Sequence, residues 1–175
     1  MIREEVEKIV EFHTSSDSEA EWDTKELSET ARAIADIGEV ETTDFTTIKE
    51  SDDSREEKRE KLTGRLLEIL KTHYKVKEAA LGVEGMRNVE KVVMLRAIDI
   101  LWMDHLDQME HLRDSVRLRA YGQRDPLVEY KNEGIRLFRE LQGAIRSQIV
   151  STIFKVGGTV RPAISEKFIE TKPEV

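Results

Sequence analysis

Between residues 88 and 156, two long runs of apolar side chains at helical spacing meet across the turn Leu118-Arg119-Ala120-Tyr121-Gly122-Gln123-Arg124-Asp125-Pro126. No other stretch of the sequence leaves so little choice of fold. At 100° per residue, Met94, Leu95, Ile98, Leu101, Trp102, Leu106, Met109, Leu112 and Val116 fall in one sector of roughly 140°, with Arg96, Asp104, Asp107, Glu110, His111 and Asp114 outside it. The second run opens on Asp125 and Pro126. Aspartate accepts from the orphan N–H groups of a first helical turn, and proline at the next position has no N–H to leave unpaired. Its stripe is Leu127, Tyr130, Leu137, Phe138, Leu141, Ala144, Ile145, Ile149, Ile153 and Val156. Two such stripes joined by a short turn predict an antiparallel helical hairpin.

Composition agrees with helices throughout. Charged residues make up 37% of the 175 and aromatics 6%, with only three prolines, which points to an all-α protein with strongly solvated faces. Cysteine is absent, so disulfides and thiolate metal sites are excluded and a reducing, cytosolic setting is expected. No apolar run approaches the roughly 20 residues that span a bilayer, and Met1-Ile2-Arg3-Glu4-Glu5 does not read as a signal peptide. A soluble chain is expected. The net charge of −8 is unevenly spread: residues 1–60 carry 20 acidic and 8 basic side chains, whereas residues 113–155 carry 5 acidic and 9 basic. An acidic body therefore carries a basic hairpin.

The remaining segments support that hairpin. Ile2, Val6, Ile9, Val10 and Phe12 predict a helix over 1–13 that begins without a cap, as the end of a longer helix would. Residues 14–23 read as a loop or short helical turn anchored by Trp22. A helix over 24–37 places Leu27, Ala31, Ile34 and Ile37 on one face, with Gly38 as its C-cap. Residues 39–53 stay ambiguous, because Val40 and the threonines favour strand while Phe45 and Ile48 fit one helical turn. Ser54 and Glu57 form a capping box. It opens a helix with Leu62, Leu66, Ile69, Leu70, His73, Tyr74, Val76 and Ala80 inward, and Gly82 and Gly85 mark the joint before the hairpin. Gly157-Gly158 ends the second hairpin helix, and 157–175 reads as a tail.

The sequence carries no GxxxxGK[ST], GxGxxG, GxSxG or HExxH motif. Asp104, Asp107 and His111 share a helix face and form the one arrangement with metal-ligand spacing, against the plainer reading of a solvated polar face. His105 projects among Leu101, Trp102 and Met109, where a packed histidine with one ring nitrogen bonded is expected rather than a catalytic one. At the turn, Arg113, Arg117, Arg119 and Arg124 surround Leu118 and Tyr121. A helix of about 30 residues reaches roughly 45 Å, so this basic, aromatic tip can act far from the body. Contact with an acidic partner, a phosphate backbone or a passing polypeptide all suit it.

Leu101-Trp102, His105-Leu106, Met109, Leu112-Arg113, Leu118-Arg119, Tyr121, Gln123, Asp125-Pro126, Glu129-Tyr130-Lys131 and Ile149-Val150-Ser151-Thr152 together resemble the two-helix finger of SecA, the family of preprotein translocase motor ATPases of bacteria. Gly85-Met86-Arg87, Glu90-Lys91 and Met94-Leu95 resemble the joint that precedes the finger. The resemblance implies an all-α chain in which a long antiparallel helical hairpin packs with a small helical wing domain. In its terms residues 1–13 are the end of the long scaffold helix, 14–84 the helical wing domain, 85–156 the finger with its tip at 118–126, and 157–175 a C-terminal linker or tail. Such a chain is a C-terminal fragment of a motor that couples ATP hydrolysis to moving preproteins through the SecYEG channel. Tyr121, with Leu118, Arg119, Gln123 and Arg124, would contact the preprotein and channel. Trp102, His105, Leu106, Met109, Leu112, Tyr130 and Phe138 would form the structural core of the finger.

The resemblance further implies no catalytic residue or cofactor in the fragment, ATP and magnesium belonging to the longer protein. Partners would be the channel, unfolded preprotein, the ATPase domains of the same chain and anionic lipid, with self-association of the fragment. The location would be cytoplasmic and peripheral at the inner face of the plasma membrane. This sequence departs from the family at the turn, with Ala120 where glycine is usual and Gly122 where alanine is usual, which moves the freedom for positive φ to after Tyr121. Two other classes stay open on the residues alone. One is a basic hairpin binding nucleic acid, which the acidic body disfavours; the other is a helical metal-binding protein using Asp104, Asp107 and His111.

Overall fold

The structure is a computed structural model that describes residues 1–38, 42–119 and 125–156, leaving out the side chains of 117–119. Among these residues there is no strand; the chain is all helical. Helix α1 spans Ile2–His13, a 3₁₀ turn Glu19–Glu21, α2 Thr24–Ala35, α3 Asp44–Glu50, α4 Arg55–Arg119 and α5 Pro126–Ile153.

Local chemistry sets most of these boundaries. Asp23 caps α2 by accepting from the Glu26 N–H at 2.7 Å, and Asp125 caps α5 by accepting from the Leu127 N–H at 2.9 Å. The expected Ser54–Glu57 box forms at the start of α4, with the Ser54 N–H donating to Glu57 at 2.9 Å. Helix α2 stops short of the expected Gly38. Asp36 adopts the left-handed conformation at φ 47°, which aspartate tolerates better than most residues, and the turn delivers Ile37 to the core at 3% exposure. In the ambiguous stretch the helical alternative holds, because Phe45 is wholly buried on α3; residues 39–41 lie outside the described residues. Helix α5 ends at Ile153 with Phe154 as its cap, ahead of the expected end at Val156.

Helix α4 is not one straight rod. Gly82 interrupts it at φ 73°, ψ 160°, a region that only glycine occupies readily. The interruption reverses the chain: the Tyr74 hydroxyl donates to the Glu90 carboxylate, and Arg87 pairs with Glu78 at 2.8 Å. Sixteen residues of continuous helix would hold Tyr74 and Glu90 about 24 Å apart, so residues 55–81 and 83–119 must fold back on each other. Burial and the neighbouring Glu90 push the Tyr74 hydroxyl pKa up, so it stays protonated as a donor.

Two packing regions result. The body core joins Val6 and Val10 of α1, Leu27 and Ala31 of α2, Phe45 of α3, Leu62, Leu66 and Leu70 of α4, and Trp22. Trp22 donates its indole N–H to the Ser16 carbonyl at 3.1 Å and lies under the Arg59 guanidinium, 5.5 Å from the ring centre. Phe12, expected on the inner face of α1, is 72% exposed. It falls on the far side from the line through Val6 and Val10 that meets α4. Val150, Ile153 and Phe154 at the end of α5 enter the same core beside Met86, so the second hairpin helix is rooted in the body.

One root contact was not foreseen. Lys77, 3% exposed, donates from Nζ to the Ile153 carbonyl at 2.6 Å. It places a cation at the C-terminal end of α5, where the helix dipole is negative. Burial lowers its pKa.

Gly82 and Gly64 should respond oppositely to alanine. Added methyl groups would meet nothing within 4 Å at either position, so backbone conformation decides. Gly82→Ala is expected to cost about 1–3 kcal/mol, and Gly64→Ala, in the helix interior, to gain about 0.5–1 kcal/mol. Urea melts of the two variants check this; equal shifts in the same direction would contradict the reversal at Gly82.

Candidate functional site

The hairpin is a two-helix ribbon in register. Gly134 faces Met109, whose methyl would lie 3.3 Å from an added Cβ. His105 meets Phe138 with ring centres 6.1 Å apart, and Val93 and Ala97 pack with Ile149 and Ile145. Each step of four residues down residues 83–119 is matched by four residues back along α5, as antiparallel helices require.

The seam is narrower than the expected stripes. The covered line runs through Val93, Ala97, Leu101, His105, Met109, Leu112 and Val116. Met94 and Leu95 are exposed, as are Trp102 (43%) and Leu106 (48%). On α5, Tyr130, Gly134, Leu137, Leu141, Ile145 and Ile149 are covered, while Phe138 (44%) and Leu127 (72%) are exposed, together with Ala144. Spacing puts the large apolar residues inside, but a ribbon of two helices offers each helix a single neighbour. That line includes two small residues, Ala97 and Gly134.

Of the residues expected in the finger core, His105 is therefore buried, Met109, Leu112 and Tyr130 are half-buried, and Trp102, Leu106 and Phe138 flank the seam. Trp102 and Phe138 lie on either side of the His105 ring, at 5.6 and 6.1 Å. His105 is packed, as expected, at 7% exposure, but its buried Nδ1 has no hydrogen-bond partner among the described residues.

The tip residues Tyr121, Gln123 and Arg124 lie outside the described residues, as do the side chains of Leu118 and Arg119. The described flanks show how the basic charge is held. Arg113 pairs with Glu110 at 3.0 Å and Asp114 at 3.6 Å, and Arg136 bridges Glu133 and Glu140. These exposed pairs contribute little stability, but they offset the charge of both arginines. Asp104, Asp107 and His111 all face solvent, and no group of three potential metal ligands gathers among the described residues. None of the described helices is long and apolar enough to cross a membrane.

A family model described as SecA Wing and Scaffold domain matches residues 1–157. The chain belongs to that family. The protein translocase subunit SecA of Desulforudis audaxviator (strain MP104C) is 43% identical over 138 residues, covering 78% of this chain and 15% of that protein. The same-named subunit of Pelotomaculum thermopropionicum is 43% identical over 136 residues, or 78% and 14%. That of Thermodesulfovibrio yellowstonii is 39% identical over 152 residues, or 87% and 16%. The chain thus spans about one seventh of the length of these relatives.

His105 offers a direct check of the seam. A buried polar atom without a partner costs about 1–3 kcal/mol, so His105→Leu is expected to leave stability unchanged or raise it by about 1 kcal/mol. Trp102→Ala, at a flanking position, should cost less than the roughly 2–5 kcal/mol expected for Leu66→Ala in the body core. Denaturant midpoints of the three variants read the order; a Trp102 loss equal to that of Leu66 would contradict a two-helix ribbon with one seam.

Proposed function

We propose that this chain is the wing and scaffold portion of a SecA-type protein-translocation motor, and that its hairpin is the lever by which the motor touches the moving preprotein and the SecYEG channel. The observation that carries this reading is the rooting of α5 in the body core, on a chain that matches the family over residues 1–157. A lever transmits a push only if its base is held. Here Val150, Ile153, Phe154 and the Lys77 amine hold it.

In this reading residues 1–13 end the scaffold helix, 14–84 form the wing, 85–156 form the finger and 157–175 the linker. Tyr121 is the contact residue at the tip, with Leu118, Arg119, Gln123 and Arg124 around it. A tyrosine ring packs on many side chains and its hydroxyl bonds backbone groups, giving grip without sequence preference. The sequence contains no phosphate-binding loop, so ATP and magnesium would be handled by other parts of the longer protein. This chain would then contribute contact and force transmission rather than catalysis. The motor would work at the cytoplasmic face of the membrane, where basic residues near anionic lipid gain about 1 kcal/mol each.

Replacing Tyr121 by alanine in the full-length motor containing this chain should lower preprotein transport severalfold while the melting temperature stays within about 1 °C, because ordinary surface substitutions change stability by less than roughly 0.5 kcal/mol. Transport at the parental rate in that variant would refute the fingertip assignment.

A further inference from the structure

A cleft of about 650 Å³ runs between α1 and α5, lined by Glu4, Glu5 and Lys8 of α1 and by Ile135, Arg139 and Gly143 of α5, among others. Proteins hold ligand groups in clefts of roughly 300–1,000 Å³, so the space is large enough to bind. Its floor is low. At Gly143 an added methyl would meet nothing within 4 Å, and the adjacent Ala144 is exposed, so a partner can approach the α5 backbone closely there.

The charges in this cleft are unevenly matched. Each of its three carboxylates already faces a donor: Glu5 accepts from the Ser147 hydroxyl at 2.6 Å, Glu140 is bridged by Arg136, and Glu4 lies 3.9 Å from Arg146. Two of its cations are uncommitted. Lys8 and Arg139 are exposed and pair with no carboxylate among the described residues. Ile135, 44% exposed, adds an aliphatic side chain one helical turn before Arg139.

We propose that this cleft docks an acidic segment of a separate protein, with carboxylates on Lys8 and Arg139 and an apolar side chain resting on Ile135. The surface does not involve the tip and owes nothing to the lever reading. One carboxylate for each uncommitted cation leaves the cleft balanced, and the arginine fork matches a carboxylate directly. A phosphate-rich partner, nucleic acid or membrane, fits less well, because its dense charge would also meet Glu4, Glu5 and Glu140, and like charges brought together oppose binding. Ile135 and Arg139 lie about 6 Å apart along α5. A partner helix matches that step with an apolar residue and a glutamate three or four positions apart.

The probe is a fluorescein-labelled peptide of three leucine-alanine-glutamate-glutamate repeats, titrated by anisotropy at low salt against the whole chain. Reversing both cations, Lys8→Glu with Arg139→Glu, is expected to weaken binding at least about tenfold, as the loss of complementary charge does. Lys71→Glu with Lys75→Glu, the same charge change at exposed lysines elsewhere, should weaken it less than about twofold, because separated surface charges are screened. All four positions are exposed, and thermal melts should agree across the variants. The same peptide with glutamine for glutamate should bind the unaltered chain at least about tenfold more weakly. Equal losses in the two double variants would overturn the proposal, as would equal binding of the glutamine peptide or no binding at about 1 mM. Displacement of the peptide by phosphatidylglycerol vesicles, but not by phosphatidylcholine vesicles, would assign the cleft to a membrane surface and overturn it equally.

Discussion

The structure depends on how the last turn of α5 enters the body. Val150, Ile153 and Phe154 are each under a tenth exposed in a core they share with α1, α2, α3, Trp22, Ile37, residues 62–70 of α4 and Met86. Burying an aliphatic or aromatic side chain of this size is worth about 1.5–3 kcal/mol. These three residues therefore supply several kilocalories that a free two-helix ribbon lacks. Lys77 adds direction to that attachment. Its ammonium reaches the Ile153 carbonyl, so the helix end is held at one point as well as buried. Without this root, the seam from Val93 to Val116 would be a marginal pair of helices in water.

The second constraint is the reversal at Gly82. It brings residues 83–93 beside residues 70–81, so Met86 can join the body core and Glu90 can meet Tyr74. Both helices of the hairpin are thereby anchored at the same end, one by the reversal and the other by the root. The anchored end carries the buried contacts, and the candidate contact residues lie towards the other end of the hairpin.

Much of this was legible in the sequence, for reasons that differ by element. The caps at Ser54 and Asp125 and the break at Gly82 are local, set by side chains within a few residues, so reading them needs no tertiary information. Trp22 could be placed because few residues of its size stand in a polar loop without a partner to bury them. The inner faces of the hairpin were harder to read. Periodicity finds an apolar sector, but it does not say how much of that sector a neighbour can cover, and one partner helix covers a narrow line through Ala97 and Gly134. Helical spacing puts Trp102, Leu106 and Phe138 inside, and the ribbon leaves them at its edge. Lys77 escaped notice altogether, because a lysine is buried only when a remote acceptor, here 76 residues away, meets it.

With this packing, the base of the hairpin and the body form one cooperative unit, while the outer hairpin is less firmly held. Native-state hydrogen exchange on this chain tests it most directly, because exchange ranks segments by the free energy of opening them. Amides of residues 149–153 should share the protection of residues 62–70, with those of residues 103–113 and 130–138 exchanging at least about tenfold faster. Uniform protection along the hairpin, or a base that opens independently of residues 62–70, would contradict it.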